Sequence, residues 1–358
     1  MKQNVYAIIL CGGSGSRLWP RSRSSHPKHL LNLNNGGETL VQETIDRVEL
    51  PLENIFCVTE ASHAELLKQQ VSGIPEENII IEPDRRGTAT VTAYALLSIR
   101  DRLQSDDIVI SLAADHIIDR KAFKATFQPW VTAASKTKRI ISLGIRPTYP
   151  SSGLGYINMG NRLGSFDHVD VFETEQFVEK PNEETAKVYL DSGKYLWNAN
   201  IFAATLSVLL GEFDTHMPEM MTTLNRSMQA LQSGDTAEAQ KLYLGLPNET
   251  IDYGVLEKSD NLGVLPASFS WADIGSWADL HDMLEHDNDG NVFDGEYVDI
   301  DSKDCFVYSP DILVATIGLE NLVIINTGDA VLICPKDRSQ DVKKVVEKLK
   351  ERGMKKYL

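Results

Sequence analysis

Five short apolar runs alternate with stretches of helix length through the first part of this chain, and that alternation constrains its fold most. The runs are Tyr6–Leu10, Ile55–Thr59, Ile79–Glu82, Ile108–Ala113 and Arg139–Ile145. The helical stretches between them are Leu40–Arg47, His63–Val71, Ala89–Leu103 and Lys121–Lys136. A run that is apolar throughout, rather than at every second residue, belongs to a strand covered on both faces. Strands of this kind separated by helices predict the α/β class, with a Rossmann-like, mostly parallel sheet. In such sheets ligands bind beyond the carboxyl ends of the strands. A glycine-rich loop after Leu10, Glu82 and Asp115 all fall at such ends.

The pattern changes further along. Gly153 to Pro181 reads as β-rich and more polar, and one long helical stretch is expected from about Thr205 to Leu244. His286–Gly295 is a turn-rich, acidic link. Short strands follow at Cys305–Tyr308, Ile312–Gly318, Leu322–Asn326 and Ala330–Cys334. The chain ends in a helix from about Ser339, with Val342, Val345, Val346 and Leu349 on one apolar face. The expected division is therefore a catalytic domain over 1–285 and a small β-rich domain with a terminal amphipathic helix over 296–358. So little β-structure and one helix bury a small core by themselves. The tail is expected to pack on its own domain or on a second subunit, and a homodimer is expected.

Charge and cysteine usage exclude several classes. The net charge of −16 argues against nucleic acid as a partner, because neutralising phosphates needs a basic face. No uncharged apolar run approaches a membrane span, and the N-terminus enters the first strand at once, leaving no room for a signal peptide. Cys11, Cys57, Cys305 and Cys334 are scattered, with no C-x-x-C pair, so structural zinc is not expected. Buried thiols in a reducing compartment, and so a cytoplasmic location, are expected instead.

Against this acidic background the start of the chain stands apart. The first 37 residues hold five basic side chains (Lys2, Arg17, Arg21, Arg23, Lys28) and no acidic one. The first strand runs into Gly12, Gly13 and Gly15, followed by Arg17. Successive backbone N–H groups in a glycine-rich loop make an anion-binding concavity, and a guanidinium offers a fork suited to phosphate. The G-x-x-x-x-G-K-[ST] loop is absent, and the G-x-G-x-x-G fingerprint lacks its third glycine, because Leu18 stands there. The alternative is a plain turn between a strand and a helix.

Single residues elsewhere suit a phosphorylated ligand. Asp115 ends the run I-V-I-S-L-A-A-D and Asp273 sits in W-A-D-I-G-S-W. One or two carboxylates plus substrate phosphates suffice to hold Mg²⁺, although Asp115 could equally cap the helix that follows. Lys28, placed by Pro27, could stabilise charge developing on an α-phosphate, or be a surface lysine. Lys180 could hold a second phosphate, with Glu179 beside it accepting from sugar hydroxyls. Glu82 could read guanine, whose N1–H and exocyclic amine are adjacent donors suited to two carboxylate oxygens, or be a surface glutamate at a strand end.

The chain resembles the nucleotidyltransferases that join a nucleoside triphosphate to a sugar 1-phosphate, most of all the mannose-1-phosphate guanylyltransferases. The matching segments are L-C-G-G-S-G-S-R-L-W-P (10–20), P-K-H-L-L (27–31), A-A-D-H (113–116), G-L-G-Y-I (153–157), F-V-E-K-P (177–181), W-N-A-N-I-F (197–202), I-D-Y-G-V-L-E-K (251–258) and W-A-D-I-G-S-W (271–277), continuing into C-P-K-D-R-S-Q-D-V-K-K-V (334–345). The resemblance implies transfer of GMP from GTP to mannose 1-phosphate with Mg²⁺, on a nucleotidyltransferase fold. It implies that Arg17, Lys28, Asp115 and Asp273 are catalytic. Leu10, Gly12, Gly13, Ser14, Gly15, Arg17, Lys28, Glu82, Gly87, Thr88 and Asp115 would bind the nucleotide, Asp115 and Asp273 would hold the metal, and Gly155, Glu179, Lys180, Asn200 and Asp252 would face the sugar phosphate. Cys11 stands where the family often has alanine. R-G-T-A-T-V (86–91) stands where it often has R-N-T-A-P-A, beside the expected base pocket. The fused isomerase domain of long members is not seen here, and isomerase activity is not expected. Another sugar 1-phosphate (heptose or glucose), another nucleotide, or a regulatory homologue that binds without turnover are the alternatives.

Overall fold

A computed structural model describes residues 3–13, 15–34 and 37–358 of the chain. In chain order its strands are β1 (Val5–Leu10), β2 (Ile55–Glu60), β3 (Ile79–Glu82), β4 (Ile108–Ala113), β5 (His116–Ile118), β6 (Ile140–Ile145), β7 (Tyr156–Phe166), β8 (Val169–Val178), β9 (Tyr195–Thr205), β10 (Leu262–Ala267), β11 (Trp271–Asp273), β12 (Val292–Ile300), β13 (Phe306–Ile317), β14 (Leu322–Asn326) and β15 (Val331–Pro335). Its helices are α1 (Leu40–Val48), α2 (Ala64–Gln70), α3 (Gly87–Ile99), α4 (Arg120–Thr137), α5 (Glu183–Ser192), α6 (Leu206–His216), α7 (Pro218–Gln232), α8 (Thr236–Leu244), α9 (Trp277–Met283) and α10 (Val342–Glu351). They fall into two compact units.

The first unit runs through Cys11, Thr44–Ala114 and Ile118–Trp271. It holds a nine-stranded sheet in the order β3-β2-β1-β4-β9-β6-β10-β8-β7. The strands β3, β2, β1 and β4 are parallel, as are β6 and β10. This α/β sheet matches the expected class, and five of its strands are the five apolar runs. The other members run antiparallel: β9 lies between β4 and β6, and β7 and β8 form a hairpin. Asp167 and His168, at φ 46° and 68°, make the two-residue turn of that hairpin, which obliges its strands to run in opposite directions. Helix α3 is apolar nearly all round, burying Ala89, Ala93, Leu96, Leu97 and Ile99, as a helix inside a core must. The expected long helix over 205–244 is three helices instead. Pro218 starts α7 at the position proline tolerates, and Asp235 caps α8 through the Glu238 N–H at 3.0 Å.

The second unit comprises Gly12–Glu43, Asp115–Ile117 and Ala272–Leu358. It thus cuts across the sequential division expected near 285–296. The physical reason is a shared apolar core: Leu18, Trp19, Leu33 and Leu40 bury together with Ile274, Trp277, Phe306, Val323, Ile325 and Val342. The Trp277 indole donates to the Trp19 carbonyl at 3.0 Å, and the Trp19 indole donates to the Tyr357 carbonyl at 2.8 Å. The sheet of this unit has the order β12-β13-β14-β15, with β12, β13 and β14 parallel and β15 antiparallel to β14. Two corrections follow. The strands expected at 305–308 and 312–318 are one strand, β13, and β12 begins at Val292 inside the expected link. At Pro310 the pair bends rather than ends: the register jumps between Gly295 and Tyr297, and Gly295 (φ 120°) lies against the Ser309 carbonyl. Helix α10 starts at Val342, after a 3₁₀ turn over Lys336–Asp341.

Among the described residues, no helix is long and apolar enough to cross a membrane. All four cysteines are free thiols, with Cys11, Cys57 and Cys305 buried.

Candidate active site

The second unit carries a cleft of about 240 Å³ lined by Gly15, Arg17, Lys28, Asp115, Asp273 and Gly275, among others. Its floor begins in the glycine loop. Gly12 and Gly13 have open space where a Cβ would project. Gly15 is left-handed (φ 58°), and a Cβ there would lie 2.5 Å from Lys28 Cβ, so the loop closes over the lysine only with glycine at this position. Ser14 lies outside the described residues. Arg17 starts no long helix: it sits exposed in the 3₁₀ turn Ser16–Leu18.

Lys28 stands at the centre of the cleft. Its residue is only 4% exposed, and its ammonium donates at 3.0 Å to Asp115 Oδ2 and at 3.0 Å to Asp273 Oδ1. Burial alone would lower the lysine pKa. The two carboxylates outweigh it, Asp115 first, and raise it, so the charge is held. For Asp115, burial would favour the neutral acid, but Lys28 and then His116 keep it below the ordinary carboxylate range. Pairing of β5 with β11 sets Asp115, just before β5, near Asp273 at the end of β11. Asp115 caps no helix; Asp119 does that, accepting from the Ala122 N–H at 2.6 Å. Among the described residues no group of three or more His, Cys, Asp or Glu could hold a metal. The two-carboxylate set nevertheless fits Mg²⁺, whose remaining ligands are commonly phosphate and water. Both oxygens converge on one point, and that point already holds a cation, the lysine ammonium.

Two further groupings lie in the first unit. In one, Asn198 donates to Asp252 Oδ1 at 2.9 Å, the Asn198 N–H donates to the Gly155 carbonyl at 2.8 Å, and Lys180 pairs with Glu179 at 2.6 Å. The Glu179 N–H is held by Glu257 at 2.8 Å. Lys180, two residues past β8, and Asn200, within β9, have φ of 46° and 53°, left-handed backbone that is uncommon for residues other than glycine. Burial, and then the Glu179 carboxylate, push Asp252 up to about 7. A raised carboxylate pKa costs stability as pH climbs from the unfolded value near 4 to about 7, and no more above it. Asp252→Asn is therefore expected to gain stability relative to the parent by roughly 1–4 kcal/mol between pH 4 and pH 8. Urea midpoints at the two pH values test this, and an unchanged difference would contradict the buried-acid account.

In the other grouping, Glu82 Oε1 accepts from the Tyr243 phenol at 2.8 Å and from the Arg86 N–H at 3.2 Å. Burial raises the Glu82 pKa, partly offset by the Tyr243 bond. The departures Gly87 and Thr90 have a local cause here. Gly87 is left-handed (φ 79°), and a Cβ would overlap the Glu249 carbonyl. Thr90 donates to the Pro247 carbonyl at 3.0 Å, and Thr88 Oγ1 accepts from the Ile251 N–H at 2.9 Å. The start of α3 is thus laced to residues 247–251. Leu10 ends β1, half-buried.

Asn198, Tyr243 and Glu257 are polar partners that sequence reading did not single out. Asn198 had a signal, since it lies in the quoted W-N-A-N-I-F segment. Tyr243 had none, because nothing in its helical surroundings marks it as facing Glu82.

Comparison with known proteins places the chain. A family model described as nucleotidyl transferase matches residues 6–290, and one described as MannoseP isomerase/GMP-like beta-helix domain matches residues 295–349. The mannose-1-phosphate guanylyltransferase of Escherichia coli K12 is 36% identical over 359 residues, covering 98% of this chain and 75% of that protein. Mannose-1-phosphate guanylyltransferase ManC of Salmonella typhimurium LT2 is 36% identical over 356 residues, covering 98% and 74%. The crystal structure of a mannose-1-phosphate geranyltransferase from Thermus thermophilus superposes with a TM-score of 0.86 at 32% identity, covering 97% of this chain and all of that one. With a family model along most of its length and relatives this similar over 98% of it, the chain belongs to the nucleotidyl transferase family, in the group of the mannose-1-phosphate guanylyltransferases.

Proposed function

We propose that this chain transfers GMP from GTP to α-D-mannose 1-phosphate, giving GDP-mannose and pyrophosphate. The observation that carries the reading is the cleft of the second unit, where Arg17, Lys28, Asp115 and Asp273 meet. It is supported by the 36% identity, over 98% of the chain, to a protein named for this reaction.

In this mechanism a phosphate oxygen of the sugar phosphate forms a new bond to the α-phosphorus. The bond from that phosphorus to the bridging oxygen of pyrophosphate breaks in line with it, and pyrophosphate leaves with the electron pair. The nucleophile is already an anion, so no general base is needed. Catalysis reduces to positioning and charge neutralisation. Gly12, Gly13, Gly15 and Arg17 receive the triphosphate. Lys28 serves the α-phosphate, leaving its carboxylates in part to do so. Asp115 and Asp273 would hold Mg²⁺, which when bound would neutralise phosphate charge. We assign Leu10, Glu82, Gly87 and Thr88 to the nucleoside, and Gly155, Glu179, Lys180, Asn200 and Asp252 to the sugar phosphate. We assign catalysis and recognition to 1–285 and assembly to 296–358.

Incubation with GTP, mannose 1-phosphate and Mg²⁺ should give one pyrophosphate per molecule of product with the mass of GDP-mannose. Pyrophosphate without mannose 1-phosphate in the mixture would instead indicate hydrolysis and sink the transfer reading. The enzyme is proposed to act in the cytoplasm as a homodimer. Support for the dimer is the set of apolar side chains left exposed on β12 and β13, where Tyr297, Val298, Ile312, Leu313 and Ile317 are 48–71% exposed. Light scattering should give a particle of twice the 39.8 kDa chain mass, and a mass of one chain would refute it.

A further inference from the structure

Glu82 has two carboxylate oxygens, and they are not equivalent. Oε1 accepts from the Tyr243 phenol at 2.8 Å and from the Arg86 N–H at 3.2 Å. A carboxylate oxygen offers about two acceptor positions, so these two donors fill Oε1. The donor is fixed in place. Tyr243 is 0% exposed, and Tyr94 packs edge-on against its ring, with centroids 5.3 Å apart and planes at 75°. Burial, then the Glu82 charge, raise the phenol pKa, so it remains a protonated donor. The nearby cations are engaged elsewhere, Arg85 with Glu60 and Arg86 with Asp84. A guanidinium would bind both carboxylate oxygens as a fork, whereas a phenol binds one. Glu82 is therefore held by one oxygen, through a neutral group that leaves its charge intact.

We infer that Tyr243 is the positioning residue of the base-reading carboxylate: it fixes Glu82 through Oε1 and leaves Oε2 as the one acceptor for a nucleobase N–H. The inference rests on the proposal that Glu82 reads the base, and it narrows what is read. Guanine and hypoxanthine share the N1–H donor. Guanine alone adds the exocyclic amine beside it, and adenine presents an acceptor at N1. Two free oxygens would take both guanine donors and penalise hypoxanthine. The N1–H and amine N–H of guanine are parallel, so a single oxygen lies in line with only one of them; it takes the shared N1–H, treats guanine and hypoxanthine alike, and repels adenine.

The test is kcat/KM for GTP, ITP and ATP, with mannose 1-phosphate, for the parent, Tyr243→Phe, Tyr94→Phe and Glu82→Gln. The parent should use ITP within about 5-fold of GTP and ATP at least ~100-fold less well, the scale of one hydrogen bond to a charged group plus a clash. Tyr243→Phe should raise the KM for GTP about 10-fold with kcat nearly unchanged, and should narrow the GTP:ATP ratio by a similar factor. Tyr94→Phe, which removes a hydroxyl not bonded to Glu82, should leave the ratio alone. A parent enzyme that rejects ITP ~100-fold relative to GTP would overturn the single-acceptor geometry, and that comparison needs no variant. A Tyr243→Phe enzyme with the parental ratio, beside a Glu82→Gln enzyme whose ratio collapses, would reduce Tyr243 to packing. Glu82→Gln with an unaltered ratio would remove the base-reading role itself, a separate failure.

Discussion

Asp115→Asn is expected to lower kcat by at least ~100-fold in a protein that remains folded, the scale of losing a principal electrostatic group at a reacting centre. Asp115 does two jobs in the proposed mechanism. It is half of the carboxylate pair for Mg²⁺, and it anchors one of the two 3.0 Å bonds that place the Lys28 ammonium. Asparagine keeps the size and one acceptor oxygen but loses the charge, so packing around β5 should survive. The variant should need more Mg²⁺ for half-maximal rate, because a single carboxylate remains. Steady-state rates over a Mg²⁺ titration, with a thermal melt as control, check this. Near-normal turnover in a well-folded variant would end the metal role of Asp115.

Lys28→Met should cost ~100–1,000-fold in kcat, for a related reason. Methionine keeps the length and apolar stem, so the loop over Gly15 can still close. The cleft then loses the cation proposed for the α-phosphate, and Asp115 and Asp273 are left facing each other without the ammonium between them. The Asp273 side chain is 45% exposed, so solvent softens that repulsion. We expect a stability loss of roughly 1–2 kcal/mol rather than the larger figure for a fully buried pair. Added Mg²⁺ should restore much of the stability and little of the rate. The Lys28→Met, Asp115→Asn double variant should be scarcely slower than the worse single one, because groups acting as a unit are not additive. A double variant whose losses multiply would show that the two residues act independently.

Features local in the chain are legible from the residues alone. The apolar run, the glycines after it and the acid-free start lie within a few residues of one another, and they predict a strand, a tight loop and an anion site whatever the rest of the fold. What brings the cleft together is not local. Lys28 reaches Asp115 across 87 positions and Asp273 across 245, and only the pairing of β5 with β11 makes that possible. Each carboxylate is recognisable as a single residue at a strand end; their shared hold on one ammonium is not. Tyr243 and Glu82 are 161 positions apart, and the tyrosine sits in a short helix whose sequence gives no reason to expect it. The tail misleads for a different reason. Proline normally ends a strand, but β13 passes through Pro310 by bending where β12 shifts register. The division into units is hidden because Trp19 and Trp277, far apart in the chain, share one core.

Pyrophosphate release, measured with Mg²⁺ over a grid of nucleoside triphosphates against sugar 1-phosphates, tests the central claim most directly. The account predicts its strongest response with mannose 1-phosphate at GTP, accompanied by ITP and no other nucleotide. A strongest response at another sugar or at an adenine or pyrimidine nucleotide would contradict the proposed specificity, and silence across the grid with nucleotide still bound would contradict the enzyme itself.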